Sequence, residues 1–463
     1  YQRRVRGMIQ ALIAIYAYPN AAEWRKRRVY QIMTDRFAST NPGQCNDLRR
    51  YCGGNYKGLV QKLDYIKQLG FDAIWISPTQ YQALDRDTLY HGYSNADLYR
   101  TNPRFGSDND LKDFIKEAHK RDIWVMADVI YNHMGNCNGD TDYSCIKTFN
   151  RPEHYHNLCQ INNYNNEWEV QNCRLANLPD LNQQNQFVKD ELLHWAQWYM
   201  KEYDFDAFRI DTIKHVQHDF WRELRKVTPW YNIGEIFDGS YDLIKSYLGD
   251  QVQTAFNYPL YYRAKDTFIN QQSMEKFSEV FREAQQKFGD AVKDMGVFFE
   301  NHDNPRFLSQ SQDKSRYQNA VAMTMSWIGI PYLYYGCEQD MPGGNDPDNR
   351  RAMWKYGYNT QGQRFQQVQK LAQVRKNTKI HELNQQEMFK SHDVYAFARG
   401  GKVLTVLTNK GQGFRTSLRI PTTFDANARV CNVLVDGECV NVNGDRTIQV
   451  DIENGEPKVY AKI

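Results

Sequence analysis

Eight short apolar runs, most of them followed by a stretch with helical spacing, constrain this chain more than any other feature. They are VYQIMTDRF (29–37), FDAIWISP (71–78), IWVMADVIYNH (123–133), FDAFRIDT (205–212), YNIGEIFD (231–238), AFNYPLYY (255–262), GVFFENHD (296–303) and IPYLYYG (330–336). Between them, YKGLVQKLDYIKQLG, NDLKDFIKEAHKRD and FVKDELLHWAQWYMKEY repeat apolar residues at the spacing of one helix face. Strands that alternate with helices pair in parallel, and eight such units close into a barrel. The predicted fold class is therefore α/β, a (β/α)8 TIM barrel.

Two segments break the alternation. Residues 134–181 follow the third run and hold four cysteines with many Asn and Tyr, which predicts an irregular subdomain inserted after the third strand. From about residue 380 the helical pattern stops, and VYAFARG, KVLTVLTNK, ARVCNVLV and TIQVDI alternate like antiparallel strands between Gly and Asn turns. The expected domains are a barrel over 23–133 and 182–380, the insertion over 134–181 and a C-terminal β-sandwich over 381–463. A chain of 463 residues exceeds what one compact core usually holds, so a barrel with an appended domain fits its length.

The first residues, RRVRGMIQALIAIYAYPNA, join a basic start to a short apolar stretch and small residues near Ala21 and Ala22. That pattern resembles a secretory signal peptide over 1–22; the competing reading is an amphipathic first helix. The nine cysteines agree with export. Four close pairs, Cys45/Cys52, Cys137/Cys145, Cys159/Cys173 and Cys431/Cys439, would each staple a short loop, and none has zinc-site spacing. Cys337 is left over as a buried thiol. The expected location is outside the cell, or in a secretory or digestive lumen. With 58 basic against 55 acidic residues, the net charge of +3 gives no nucleic-acid footprint. No stretch is long and apolar enough to predict a membrane span.

Charged residues at the carboxyl ends of barrel strands can meet across one face. The third run closes with Asp128, Asn132 and His133, the fourth with Arg209 and Asp211, the fifth with Glu235, and the seventh with Asn301, His302 and Asp303. Any one could be a satisfied structural group; together they predict a cleft. Arg209, two residues from Asp211, shares its side of the strand and would hold that carboxylate ionised and oriented. Several carboxylates around one cleft suit glycosidic cleavage, where one donates a proton and another attacks the anomeric carbon.

The segments DVIYNH, FRIDTIKH, GEIF and FFENHD resemble the four signature segments of the α-amylase family of glycoside hydrolases, in the family order. TDRF, YCGGNYKGLVQKLDYIKQLGFDAIWISP, YHGY, LPDLN, NYPLYY and GGNDPDNR extend the likeness over nearly the whole chain from about residue 24. It is most similar to the secreted fungal-type enzymes. The resemblance implies a retaining double displacement with Asp211 as nucleophile, Glu235 as acid/base and Asp303 as the third carboxylate. It further implies sugar contacts from Tyr93, His133, Arg209 and His302 around the cleaved residue. Lys214 would contact the leaving side, and Asp346 and Arg350 the other. A calcium ion is implied at Asn132, Asp180 and the carbonyls of Gln171 and His215, clamping the insertion to the barrel.

Three departures from the fungal-type pattern stand out: Asn182 ends LPDLN where close relatives carry Asp, Ser94 follows Tyr93 in place of an aromatic, and the Cys137/Cys145 pair is additional. The expected activity is endo-hydrolysis of α-1,4 bonds in starch, glycogen or maltooligosaccharides by a monomer. An exo-acting α-glucosidase or transglycosylase is the enzyme alternative. A catalytically inactive carbohydrate-binding or scaffold protein is the alternative of another class.

Overall fold

The computed structural model describes residues 18–83 and 86–462. The expected signal-peptide stretch therefore lies, up to residue 17, outside the described residues. Eight parallel strands form the predicted barrel: β1 (Val29–Ile32), β2 (Ala73–Ile76), β3 (Trp124–Val129), β4 (Ala207–Ile210), β5 (Tyr231–Gly234), β6 (Thr254–Ala255), β7 (Gly296–Val297) and β8 (Ile330–Tyr334). Neighbours in the sheet run β6-β5-β4-β3-β2-β1-β8-β7. A single parallel bridge, Phe256 to Gly296, joins the two ends.

Residue alternation decides what each strand shows to each side. Val29, Ala73, Trp75, Met126, Ala207, Tyr231, Ile233, Phe256, Ile330 and Tyr332 pack together as the barrel interior. Their chain neighbours, among them Tyr30, Ile74, Val125, Phe208 and Leu333, belong to the larger core shared with the surrounding helices. Counting on by two from Val29, Met126, Ala207 and Ile233 reaches Gln31, Asp128, Arg209 and Glu235. The polar residues thus crown an apolar interior at the carboxyl ends of the strands.

The sixth run departs from its predicted strand. Only Thr254–Ala255 is extended, and the chain turns into a helix over Tyr258–Ala264. Asn257 accepts a hydrogen bond from the Leu260 N–H, and Pro259 in the first turn has no N–H to lose. Local capping therefore overrides the β-prone tyrosines.

Between β3 and the helix Gln186–Tyr203, the chain makes an irregular excursion with one short helix, Glu167–Asn172. The Cys137–Cys145 and Cys159–Cys173 disulfides staple it. The C-terminal region holds β9 (Gln385–Lys390), β10 (Val394–Arg399), β11 (Val403–Thr408), β12 (Thr416–Pro421), β13 (Arg429–Asn432), β14 (Cys439–Asn441), β15 (Thr447–Ile452) and β16 (Lys458–Lys462). Six of them make one antiparallel sheet, β9-β10-β11-β16-β13-β14, and β12 pairs with β15. Ile420, Ile448, Val450 and Ile452 of the pair pack on Ala396, Leu404, Val406 and Tyr460 of the sheet. Cys45–Cys52 and Cys431–Cys439 are also bonded, and Cys337 is a buried free thiol. Among the described residues no helix is long and apolar enough to cross a membrane.

Candidate active site

Arg209 and Asp128 are register partners across β4 and β3, which places both side chains at one level of the barrel mouth. The Arg209 guanidinium is fully buried and serves three carboxylates. Its Nη1 donates to Asp211 Oδ1 at 2.7 Å and to Asp128 Oδ1 at 3.0 Å, while Nη2 lies 3.2 Å from Glu235 Oε1. Trp75 supports the group from the side, 5.0 Å from ring centroid to guanidinium, and its Nε1 donates to Asp128 Oδ2 at 3.0 Å.

One cation cannot balance three ionised carboxylates out of water, so the cluster retains a proton. Burial raises Asp128 to about 6 against the pull of Arg209. Burial also pushes Asp211 up, with Glu235 and Asp128 adding to it and Arg209 opposing. Asp211 makes the shortest contact with the guanidinium and Glu235 the longest of the three.

Asp211 and Glu235 are joined through the backbone as well. Thr212 N–H donates to Glu235 Oε2 at 3.1 Å. To do so Thr212 adopts φ 51°, ψ 43°, a left-handed conformation rare for a β-branched residue. Tyr258 Oη donates to Glu235 Oε1 at 3.4 Å and receives a hydrogen bond from Asn301 Nδ2 at 3.1 Å.

The opposite wall comes from the segment after β7. Gln31 Nε2 donates to His302 Nδ1 at 2.8 Å, which leaves Nε2–H to donate to Tyr93 Oη at 2.7 Å. That hydroxyl donates onward to Asp128 Oδ2 at 2.9 Å, and the Tyr93 and His302 rings stack at 5.6 Å. Burial, reinforced by Arg209 and Arg350, pushes His302 well below the usual imidazole value, so the relay is neutral. His133 is likewise buried, and burial lowers it to about 4; its Nε2 meets the Tyr93 carbonyl at 3.1 Å. Asp303 is the open carboxylate of the group, its side chain 28% exposed against 8% for Asp211. Arg350 lies 3.4 Å from Asp303 Oδ1 and 3.0 Å from Asp346 Oδ1, and its Nε donates to the His302 carbonyl at 2.9 Å.

A cleft of about 570 Å³ opens above these groups, lined by Tyr93, His133, Asp211, Lys214, Glu235 and Asp303 among others. Asp346 and Arg350 are not part of this lining and reach it through Asp303. Sequence reasoning missed the apolar lining, Tyr164, Leu175, Leu178, Phe237 and Tyr262. Tyr164, Leu175 and Leu178 sit in the irregular excursion and Phe237 past the end of β5, where no periodicity marks them, while Tyr262 lies on the helix Tyr258–Ala264 that the sequence suggested as a strand. A larger cavity of about 960 Å³ lies on the barrel flank, beside Lys189, Arg222 and Asp250. It gathers no comparable set of buried acids, so convergent chemistry and not size locates the site.

Below the cleft, Asn132, Asp180 and His215 meet. The Asn132 side-chain oxygen faces only acceptors, Asp180 Oδ1 at 3.2 Å and the His215 carbonyl at 2.9 Å. Two arrangements resolve that: the amide turned over, or a cation shared by the three oxygens. Burial lifts Asp180 to about 7, opposed by His156, whose Nδ1 lies 2.7 Å from Asp180 Oδ2. Gln171, the other expected ligand, already accepts from Gln217 Nε2 at 2.7 Å through its carbonyl, which keeps one lone pair free. Of the departures, Asn182 accepts the Gln184 N–H at 3.0 Å, a turn bond an Asp would make equally well. Ser94 is buried with its N–H on Gln82, so position 94 offers no sugar-stacking surface.

The comparisons agree with one another. A family profile described as the alpha amylase catalytic domain matches residues 31–399, and one for alpha-amylase domain C matches 387–463. An alpha-amylase of Saccharomycopsis fibuligera is 34% identical, over 96% of this chain and 95% of its own. The solved alpha-amylase of Malbranchea cinnamomea superposes with a TM-score of 0.91 at 33% identity, over 96% of this chain and 98% of that one. The Geobacillus thermoleovorans alpha-amylase, solved with acarbose, gives a TM-score of 0.82 at 29% identity, over 94% and 98% of the two chains.

Proposed function

Because the chain belongs to the α-amylase family of glycoside hydrolases, we propose that it is an endo-acting α-amylase that cleaves internal α-1,4 bonds of starch, glycogen or maltooligosaccharides with retention of configuration. The observation that carries this reading is the Arg209 cluster, one buried cation holding Asp211, Asp128 and Glu235 beside the open carboxylate Asp303.

In the first step Glu235 gives its proton to the glycosidic oxygen while Asp211 Oδ attacks the anomeric carbon. The C–O bond to the leaving sugar breaks, and a glycosyl ester forms on Asp211. Arg209, at 2.7 Å, opposes the upward push of burial on Asp211 and favours the ionised form that attacks. Glu235, now a carboxylate, takes a proton from water, whose oxygen displaces Asp211 and restores the original configuration. Asp303 accepts hydrogen bonds from ring hydroxyls of the distorted sugar, with Arg350 fixing its position. His302 and His133, both held neutral, offer hydrogen bonds without adding charge, and Tyr93 presents its ring to the sugar. Lys214, whose Nζ donates to the Phe237 carbonyl at 2.9 Å, contacts the leaving side; Asp346 and Arg350 contact the other.

The meeting of Asn132, Asp180 and His215 oxygens fits calcium, which favours carbonyl and carboxylate oxygen over nitrogen or sulfur. With the Gln171 carbonyl they would hold an ion that joins the 134–181 excursion to β3 and the loop after β4; it supplies rigidity and no chemical step. The four disulfides support action outside the cell.

The test is a product profile on starch and on a maltoheptaoside blocked at its nonreducing end. An endo enzyme cuts the blocked substrate and collapses iodine staining before glucose accumulates, with α-configured maltose and maltotriose as main products. Early dominance of glucose with the blocked substrate intact would establish the exo alternative instead.

A further inference from the structure

Six large apolar side chains are exposed among the described residues, and three of them fall within eleven positions of the inserted segment: Leu158 at 53%, Tyr164 at 57% and Trp168 at 64%. Such a concentration beside a cleft marks an interaction surface. Every residue from Asn162 to Trp168 is exposed, in the sequence NNYNNEW. The geometry points to a binding platform formed by Trp168 and the asparagine-rich turn Asn162–Asn166, which receives glucosyl units of a long α-glucan beyond the leaving side of the cleft.

Three features select that occupant. The first is continuity: Tyr164 lines the cleft before the helix Glu167–Asn172, and Leu175, Ala176 and Leu178 line it after. The helix that carries Trp168 thus rises from the cleft wall at both ends. The second is rigidity. Val170 and Gln171 are buried, Gln171 Nε2 donates to Tyr247 Oη at 3.2 Å, and Cys159–Cys173 closes the loop. Trp168 therefore stands on a fixed base, not on a free arm. The third is charge. Residues 157–166, NLCQINNYNN, contain no charged side chain. Glu169, the nearest acid on the buried side, is occupied by the N–H groups of Asn162 and Asn163 and by the Asn166 amide. Aromatic faces bordered by neutral amides suit a neutral polyhydroxylated chain, whose C–H faces stack while its hydroxyls hydrogen-bond. Glu167, beside Trp168, is the one acid of residues 157–168 and lies 3.4 Å from His218 Nε2, so the face offers no cluster of charge to a charged partner.

This inference rests on the α-glucan reading above and adds a site outside the catalytic cleft. Trp168→Ala should raise the KM for soluble starch about five-fold, the loss of one stacking contact, with maltotetraose as the short-chain control. In a Glu235→Gln background, which removes hydrolysis, the same substitution should weaken adsorption to starch granules in proportion. An unchanged starch KM and adsorption, or an equal loss on starch and maltotetraose, overturns the platform while leaving the amylase reading intact. Wild-type dimers that Trp168→Ala dissociates would overturn it too, by assigning the patch to a second copy of the chain. A wild-type protein inactive on every α-1,4-glucan would instead sink the functional reading itself.

Discussion

Replacing Glu235 with Gln retains shape and one hydrogen-bond acceptor but removes the proton that must cycle. Turnover should fall about a thousand-fold or more while maltooligosaccharide binding survives, measurable by calorimetry on the inactive variant. Asp211→Asn should be equally inactive, because an amide cannot form the glycosyl ester. A variant at either position with wild-type turnover would remove that residue from its role. His302 adds a pH signature. Its folded pKa lies well below the unfolded value, so the stability it contributes is present above about 6.5 and is lost as pH falls below that. The groups facing it are Gln31, Tyr93, Trp75, Asp303, Glu235, Arg209 and Arg350; burial and the two cations oppose protonation and outweigh Glu235, which favours it. His302→Gln should flatten the fall in melting free energy on the acid side by up to one proton, about 1.4 kcal/mol per pH unit. An unchanged slope would show that His302 titrates normally.

At the scale of elements, the short strands matter as platforms. The barrel strands pair over two to four residues, and several then deliver a polar side chain, Gln31, Asp128, Arg209 or Glu235, above the apolar interior. The excursion after β3 has few such restraints of its own and depends on its disulfides and on the junction at Asn132, Asp180 and His215. If calcium occupies that junction, chelation should lower the melting temperature and speed amide exchange most strongly over 134–181. A ligand at a hundred times its Kd stabilises by about 2.7 kcal/mol, so the shift is readily measured. A chelated protein with the same melting temperature and exchange pattern would favour the turned-over amide.

For the whole molecule, a buried arginine joins the barrel to the C-terminal sheet. Arg399, on β10, is fully buried and donates to the carbonyls of Ser326, Ile380 and Leu383, the first at 2.7 Å. Burial without an acidic partner lowers it to about 9. Arg375, on the helix Gln363–Thr378, makes the same kind of contact within the barrel, to the carbonyls of Met325, Trp327 and Gly329. Arg399→Met keeps much of the volume but removes the side-chain donor shared by three carbonyls, and should cost about 3 kcal/mol or more. The activity of the folded fraction should stay normal, since Arg399 belongs to the C-terminal sheet and lines no part of the cleft. A variant that melts like the wild type would show that the two regions are held together by other contacts.

The barrel and the members of the carboxylate cluster at its mouth were legible in the sequence because alternation and helical spacing are local, one-dimensional signals. Counting by two from Ala207 already puts Arg209 and Asp211 on one side, and the strand ends already carry Glu235 and Asp303. The turn of residues 258–264 into a helix was not legible, since the tyrosines there suit a strand and only the Asn257 cap with Pro259 decides otherwise. Nor was the apolar lining of Tyr164, Phe237 and Tyr262, two of them in loops and the third on the helix Tyr258–Ala264, because their placement depends on what those segments pack against. Above all, a sequence can name Arg209, but not that one guanidinium would face three carboxylates. That arrangement depends on the register of β3 against β4 and on closure of the barrel, both set by contacts between residues far apart in the chain.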